Sequence, residues 1–182
     1  MAQEHKMDQS TSTDATKTKI DFLADKTDAS PFTLRPFRAG DLGYMVHRQG
    51  VFYDEQYQWG IRFEGLVARI VGDFVDSYDP SKECCWIAEN KSDGAFLGGV
   101  MVVKDKESVT NSKIAKLRLL YVEPKSQGMG LGTVLVRQCT RFAREAGYTK
   151  IGLWTQSYKL VRSEKHESFG VPLTGEYWEL TL

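Results

Sequence analysis

Few cysteines, few prolines, no net charge and no long apolar run: each of these shortages closes off a class of function. Cys84, Cys85 and Cys139 are the only cysteines among 182 residues. They are too few and wrongly spaced for a structural zinc site. An odd count suits a reducing compartment, with the three thiols acting as small buried apolar groups. Lys+Arg of 24 cancels Asp+Glu of 24, so no overall field draws the chain to nucleic acid or to an anionic membrane. No apolar run approaches the ~20 residues that span a bilayer. The first thirty residues contain no arginine and no apolar leader core, which argues against secretion and mitochondrial import and for the cytoplasm, with the nucleus also open.

What is present is enough for one domain. Hydrophobic residues make up 41% of the chain, which can supply a core for a single unit of this length. Residues 1–30 are rich in Thr, Ser, Asp, Lys and Gln, too polar to offset the entropy of ordering, and are expected to form a disordered tail. Residues 31–182 are expected to form the domain. Phe32 to Phe37 alternates like a strand and holds Pro36, as a terminal strand can. Asp41 is placed to cap a helix running to Gln49, where Gly50 should stop it. After an aromatic stretch from Val51 to Gly60, residues Phe63, Leu66, Val67, Ile70, Val71, Phe74 and Val75 repeat with helical spacing until Asp79-Pro80. Three strands follow: Cys85 to Glu89, Ala95 to Val103 and Ala115 to Val122. Ser92-Asp93-Gly94 turns the first into the second, and Lys104 to Ser112 is a polar loop. A helix from Gly130 to Ala146, a strand from Ile151 to Thr155 and a last strand from Glu176 to Leu182 complete the chain.

The densest signal is Gln127-Gly128-Met129-Gly130-Leu131-Gly132, between a strand closed by Glu123-Pro124 and an amphipathic helix. A glycine-rich turn feeding a helix leaves several amide N–H groups without intrahelical partners at the positive end of the helix dipole. Such a cradle binds anions, phosphate above all. The P-loop pattern fails, because Thr133-Val134 follows Gly132 and no lysine lies in the loop after Gly128. A dinucleotide fingerprint fails as well. Gly130 and Gly132 give its first pair, but Leu135 holds the third glycine position. No acidic residue lies in Leu153-Trp154-Thr155, where the ribose partner is due. Gln/Arg-x-x-Gly-x-Gly/Ala fits at every fixed place.

In this loop, and in the flanks Leu117-Arg118-Leu119-Leu120-Tyr121-Val122-Glu123-Pro124 and Gly147-Tyr148-Thr149-Lys150-Ile151-Gly152-Leu153-Trp154, the chain resembles the GNAT superfamily of N-acetyltransferases. The resemblance covers about Pro31 to the C-terminus. It is closest to the acetyltransferase half of proteins that fuse a MarR-type winged helix to a GNAT domain, matched at Leu34 to Gly43, Ala115 to Leu120, Leu153-Trp154-Thr155 and Trp178-Glu179-Leu180. No winged-helix half is expected here. The resemblance implies an α/β (α+β) fold: a central mixed, mostly antiparallel sheet flanked by helices, with a splayed parallel strand pair.

It also implies acetyl-CoA as co-substrate, no metal, and acetyl transfer to a primary amine of a small molecule or peptide by direct attack in a ternary complex. Gln127, Gly128, Met129, Gly130, Leu131, Gly132 and Thr133 would hold the diphosphate. Backbone N–H groups of Leu120, Tyr121 and Val122, freed by a bulge, would hold the pantetheine arm, and that of Leu120 or its neighbour would meet the thioester carbonyl. Glu55 is the preferred base over Asp54 and Glu64. Tyr53, Tyr57 and Trp59 would wall the acceptor pocket. The family usually protonates the departing thiolate with a tyrosine on a helix after the Leu153-Trp154-Thr155 strand. That helix is apparently missing here, and Tyr158 stands in as the acid. Its loss also raises a second reading, a coenzyme A-binding module with weak or no catalysis. The partners expected are acetyl-CoA and an amine acceptor, with no nucleic acid and no membrane; a homodimer could pair on the edge of the Glu176–Leu182 strand.

Overall fold

The computed structural model describes residues 30–105, 113–156, 162–168 and 171–182. Seven strands form one sheet: β1 (Phe32–Pro36), β2 (Cys84–Asn90), β3 (Phe96–Lys104), β4 (Ile114–Val122), β5 (Lys150–Gln156), β6 (Arg162–Ser168) and β7 (Val171–Thr181). Their order is β1-β2-β3-β4-β5-β7-β6. Among the described strands only β4 and β5 run parallel. A parallel pair needs a crossover, and helix α3 (Leu131–Glu145) provides it. Helices α1 (Asp41–Tyr57) and α2 (Gly60–Asp76) come between β1 and β2.

Side-chain alternation sends the middle strands to two cores at once, so they read as nearly continuous apolar runs. Cys84, Trp86, Val100, Val102, Ala115 and Leu117 pack under Leu131, Leu135, Cys139, Phe142 and Ala143 of α3. Cys85, Ile87 and Met101 face the other way, against Met45 of α1 and Phe74 of α2. Leu131, Leu135 and Met45 are fully buried, and each such side chain removed from water stabilises the fold by about 1.5–3 kcal/mol.

Three expectations need correction. The first helix does not stop at Gly50 but runs to Tyr57 and ends at Gln58, whose φ of 58° is left-handed and whose N–H bonds the Asp54 carbonyl. Gly50 is buried inside it, and a Cβ there would stand 3.1 Å from Glu64 Cγ of α2. Close helix packing thus outweighs the cost of about 1 kcal/mol for glycine within a helix. Asp41 does not cap the helix. Gly40 is the N-cap, with no side-chain cap bond, and the Asp41 carboxylate is held by Arg35 through bonds of 2.6 and 2.9 Å. Finally, β7 is longer than Glu176–Leu182 and is not a free edge. β6 pairs with it from Val171 to Tyr177, so only residues beyond Tyr177 lack a second strand. The composition of β6, Arg-Ser-Glu-Lys-His-Glu-Ser, suits an edge strand that must resist further pairing, but it carries no apolar alternation to betray it. Among the described residues no helix separates β5 from β6.

Candidate active site

The loop between β4 and α3 is built to present backbone amides. A short 3₁₀ turn (Pro124–Ser126) leaves β4, Gln127 is extended, and Gly128 and Gly130 take φ of 82° and 75°. Gly130 is the N-cap of α3. Both glycines adopt a left-handed conformation that a side chain would strain. A Cβ on either would meet nothing within 4 Å, so the space before the loop is open. Gln127, Gly128, Met129 and Gly130 are exposed. The first amide of the helix to find a backbone acceptor is Val134, which bonds the Gly130 carbonyl at 3.1 Å; those from Gly128 to Thr133 meet no backbone acceptor among the described residues. The first turn of α3 carries no acidic side chain, so its positive end stays uncompensated. Leu131 differs from its neighbours: its side chain is in the core while its amide belongs to the loop.

This loop stands at the open end of a gap. The parallel register of β4 and β5 runs from Ile114↔Lys150 to Leu117↔Leu153, yet β4 continues to Val122 and β5 to Gln156. Just past the last pair β4 bulges. Leu119 has φ of 50°, and the register with β3 shifts between Gly99↔Tyr121 and Met101↔Arg118. Backbone groups of a strand point alternately to its two neighbours. Those in the Leu120–Val122 stretch that turn from β3 therefore face the gap. Leu120 is 37% exposed, whereas Tyr121 is buried.

On the α1/α2 side of the sheet the aromatic residues gather. Tyr53 stacks on Trp59 at 4.8 Å and on Tyr57 at 5.7 Å, and Phe63 lies 4.5 Å from Tyr53. Phe52 connects this cluster to Tyr121 of β4 at 5.7 Å. Trp59 is buried and Tyr57 is exposed, so the cluster has an inner core and an outer face. Burial pushes the Tyr53 phenol above its ordinary range. Glu55 is exposed on α1. Asp54 is engaged at the helix junction, accepting from the Gly60 amide at 3.1 Å. Glu64 packs against Gly50. Tyr158 lies outside the described residues.

Sequence reasoning missed a clamp between these two halves. Arg48 of α1 grips Glu123, at the end of β4, with two bonds of 2.6 and 2.9 Å. Glu123 is buried, and its amide is tied to the Leu97 carbonyl. The helix that carries the aromatic cluster is thereby fastened to the first residue of the amide loop. A single Arg and a single Glu distant in sequence carry no spacing signal. Nearby, Arg35 joins Asp41 and Glu89. Burial raises the Asp41 carboxyl, but the Arg35 guanidinium and the Arg38 amide outweigh it and hold it below its usual range. These groups, with Arg48, Glu123 and Lys125, line an open cavity of about 470 Å³.

The family model for the Acetyltransferase (GNAT) family matches residues 46–165. The chain belongs to this family. Curated relatives include N-acetyltransferase family 8 member 2 of Rattus norvegicus, 31% identical over 108 residues, covering 59% of this chain and 47% of the relative. Another is the probable N-acetyltransferase family 8 member 5 of Mus musculus, 30% identical over 127 residues, 68% of this chain and 55% of the relative. The chain thus spans about half the length of the curated relatives it matches. Among solved structures, yncA of Salmonella typhimurium, determined with its cofactor acetyl-CoA, superposes with a TM-score of 0.65 at 14% identity, covering 83% of this chain and 94% of that one. Ribosomal-protein-alanine N-acetyltransferase of Brucella melitensis superposes at 0.64, again at 14% identity, over 82% and 99%. At that identity the likeness is one of fold. Among the described residues of this GNAT chain no helix is long and apolar enough to cross a membrane.

Proposed function

We propose that this chain transfers an acetyl group from acetyl-CoA to a primary amine of a small molecule or peptide, by direct attack within a ternary complex. The observation that carries this reading is the alignment of two features. The open, unpartnered amides from Gly128 to Thr133 stand at the mouth of the gap where β4 and β5 part. A diphosphate suits the first and a peptide-like pantetheine arm suits the second. Gln127 adds a neutral side-chain donor. The amides of Leu120, Tyr121 and Val122 would bond the arm, and that of Leu120 would receive the thioester oxygen as it gains charge. The amine would approach from the α1/α2 side, past Tyr53, Tyr57 and Trp59, and lose its proton to Glu55 directly or through water. Kinship with winged-helix fusions rests on the matching segments alone and brings no nucleic acid partner with it.

Calorimetry with coenzyme A tests the binding half. Thiol release from acetyl-CoA over a panel of free amino acids, polyamines and N-terminal peptides tests the transfer. A second reading, binding without turnover, is favoured by the short interval between β5, which ends at Gln156, and β6, which starts at Arg162. Tight coenzyme A binding with no thiol release from any amine would select it.

A further inference from the structure

Gln49 of α1 is only 3% exposed, and its side-chain amide nitrogen meets no hydrogen-bond acceptor among the described residues. Buried polar groups are nearly always paired, because an unmade bond forfeits hydration with nothing in return. An apolar side chain of the same length would pack there without that loss. The next-door residue keeps Gln49 from turning away. Arg48 is fixed on Glu123 by bonds of 2.6 and 2.9 Å, which sets the rotation of α1 against β4.

Helical spacing places the side chain. Met45 lies one turn before Gln49 and Phe52 one turn after it, on the same face. Met45 covers Gly99 of β3: a Cβ there would stand 3.0 Å from the Met45 sulfur. The Phe52 ring lies 5.7 Å from the Tyr121 ring of β4. Gly99 and Tyr121 are cross-strand partners, and the register of β3 with β4 shifts from that pair onward. Gln49 therefore projects from α1 over the bulged part of β4. Leu119, the residue of positive φ, packs against the cluster that holds Met45. It stands two residues past Leu117, the last residue of β4 that pairs with β5. The unpartnered amide is thus on the α1 side of the closed end of the gap, next to the backbone of Leu119 to Tyr121.

We infer that the Gln49 side-chain amide donates to the thioester oxygen of acetyl-CoA and, with the Leu120 backbone amide, forms the pair of donors that holds the oxyanion of acetyl transfer. This inference rests on the proposed function. The amine nitrogen attacks the carbonyl carbon, the C–N bond forms, and the π pair of the carbonyl moves onto oxygen. That oxygen then bears a full negative charge and accepts more than one hydrogen bond. A single backbone amide leaves it under-served. Gln49 supplies a donor that is already stripped of water and fixed in place, so it needs no reorganisation as the charge develops. When the pair returns to carbon, the C–S bond breaks and the thiolate leaves with its electrons. The proton shed by the amine passes through the base and water to the thiolate. The loss of stability at Gln49 in the free protein is thereby recovered in the transition state, where it accelerates the reaction.

The test needs no identified acceptor. Gln49→Met keeps the length, flexibility and helix preference of the side chain and removes its amide. Acetyl-CoA labelled at the thioester carbonyl carbon is bound to both proteins, and its stretch is read by isotope-edited infrared difference spectroscopy. Wild type should hold the stretch at a lower frequency than Gln49→Met. Affinity for coenzyme A itself, which lacks the thioester, should agree within threefold by calorimetry. Thiol release at saturating acetyl-CoA, with hydroxylamine as a nucleophile too small to need an acceptor pocket, should fall ~10²–10³-fold in the variant. Gln49→Met should also melt no lower than wild type, because it deletes a buried donor that the fold does not pair. An equal stretch in the two proteins, or a lower melting temperature with an unchanged rate, overturns the Gln49 assignment and leaves the coenzyme A site standing. If hydroxylamine is not acetylated, the stretch decides alone. No binding of acetyl-CoA by folded wild type overturns both readings.

Discussion

Replacing Gly130 by Glu and, separately, by Gln divides the amide loop's properties into shape and charge. The two side chains have nearly the same size and flexibility, and both must adopt the φ of 75° that glycine adopts freely. A left-handed residue with a side chain costs about 1–2 kcal/mol, which for a domain of this size lowers the melting temperature by about 3–6 °C. Neither Cβ meets a protein atom within 4 Å, so both variants should fold and melt alike. They differ in what stands before the exposed amides. A carboxylate about 5 Å from a diphosphate bearing two charges is repelled by about 2–3 kcal/mol at an effective dielectric of ~50, between that of a protein surface and that of bulk water. Coenzyme A should therefore bind Gly130→Glu ~30–150-fold more weakly than Gly130→Gln by calorimetry at low ionic strength. The gap should narrow as salt is raised. If the two variants melt together and bind coenzyme A within threefold of each other, no diphosphate sits at this loop.

Three further outcomes concern the ion pairs and the buried thiols. Glu123→Gln leaves the Arg48 guanidinium without its bidentate carboxylate and should cost about 2–3 kcal/mol in urea denaturation, part of which the double replacement Arg48→Met with Glu123→Met should restore. Arg35 holds Glu89 below its ordinary range, and with Arg38 it does the same to Asp41 against burial. Carboxyls depressed by folding stabilise above their unfolded values and lose that contribution as pH falls through the folded ones. Melting temperature should thus drop more steeply between pH 5 and 3 in wild type than in Arg35→Met, and parallel curves would remove the network as the cause. Burial pushes the Cys84 thiol up to about 12 and raises Cys85 and Cys139 as well, so a thiol reagent at pH 8 should label none of the three in the native protein and all three in urea.

Features determined within a few consecutive residues could be read from the chain alone. β1 to β4 fall within a residue or two of their apolar patterns, and the amphipathic stripe of α3 places Leu131, Leu135, Cys139, Phe142 and Ala143 in the core where they are found. The bulge was legible only through resemblance. Nothing in Leu117-Arg118-Leu119-Leu120-Tyr121 marks Leu119 as the residue that turns to positive φ, because leucine has no preference for that region. β6 was illegible because the sheet assigns it an edge, where polar side chains are tolerated. Asp41 was misread because a carboxylate before a helix has two uses, and Arg35, set on β1 opposite Glu89's strand, claims it.

The glycines show where the limit falls. Gly130 could be read because its requirement is local: a turn into a helix whose amides must stay open. Gly50 was misread because a stop signal and a contact site look alike in sequence, and only the arrival of Glu64 from α2 decides between them. Gly152 gave one hint, being a residue without a side chain inside a short apolar strand, where glycine weakens pairing unless another group must come close. The group that comes close is Tyr177, which the chain reaches only after β6 has been laid down beside β7. A contact made from there has no fixed spacing to the glycine-rich loop before α3. No pattern around Gly152 announces that contact, because it is set by the order in which the strands pair and not by distance along the chain.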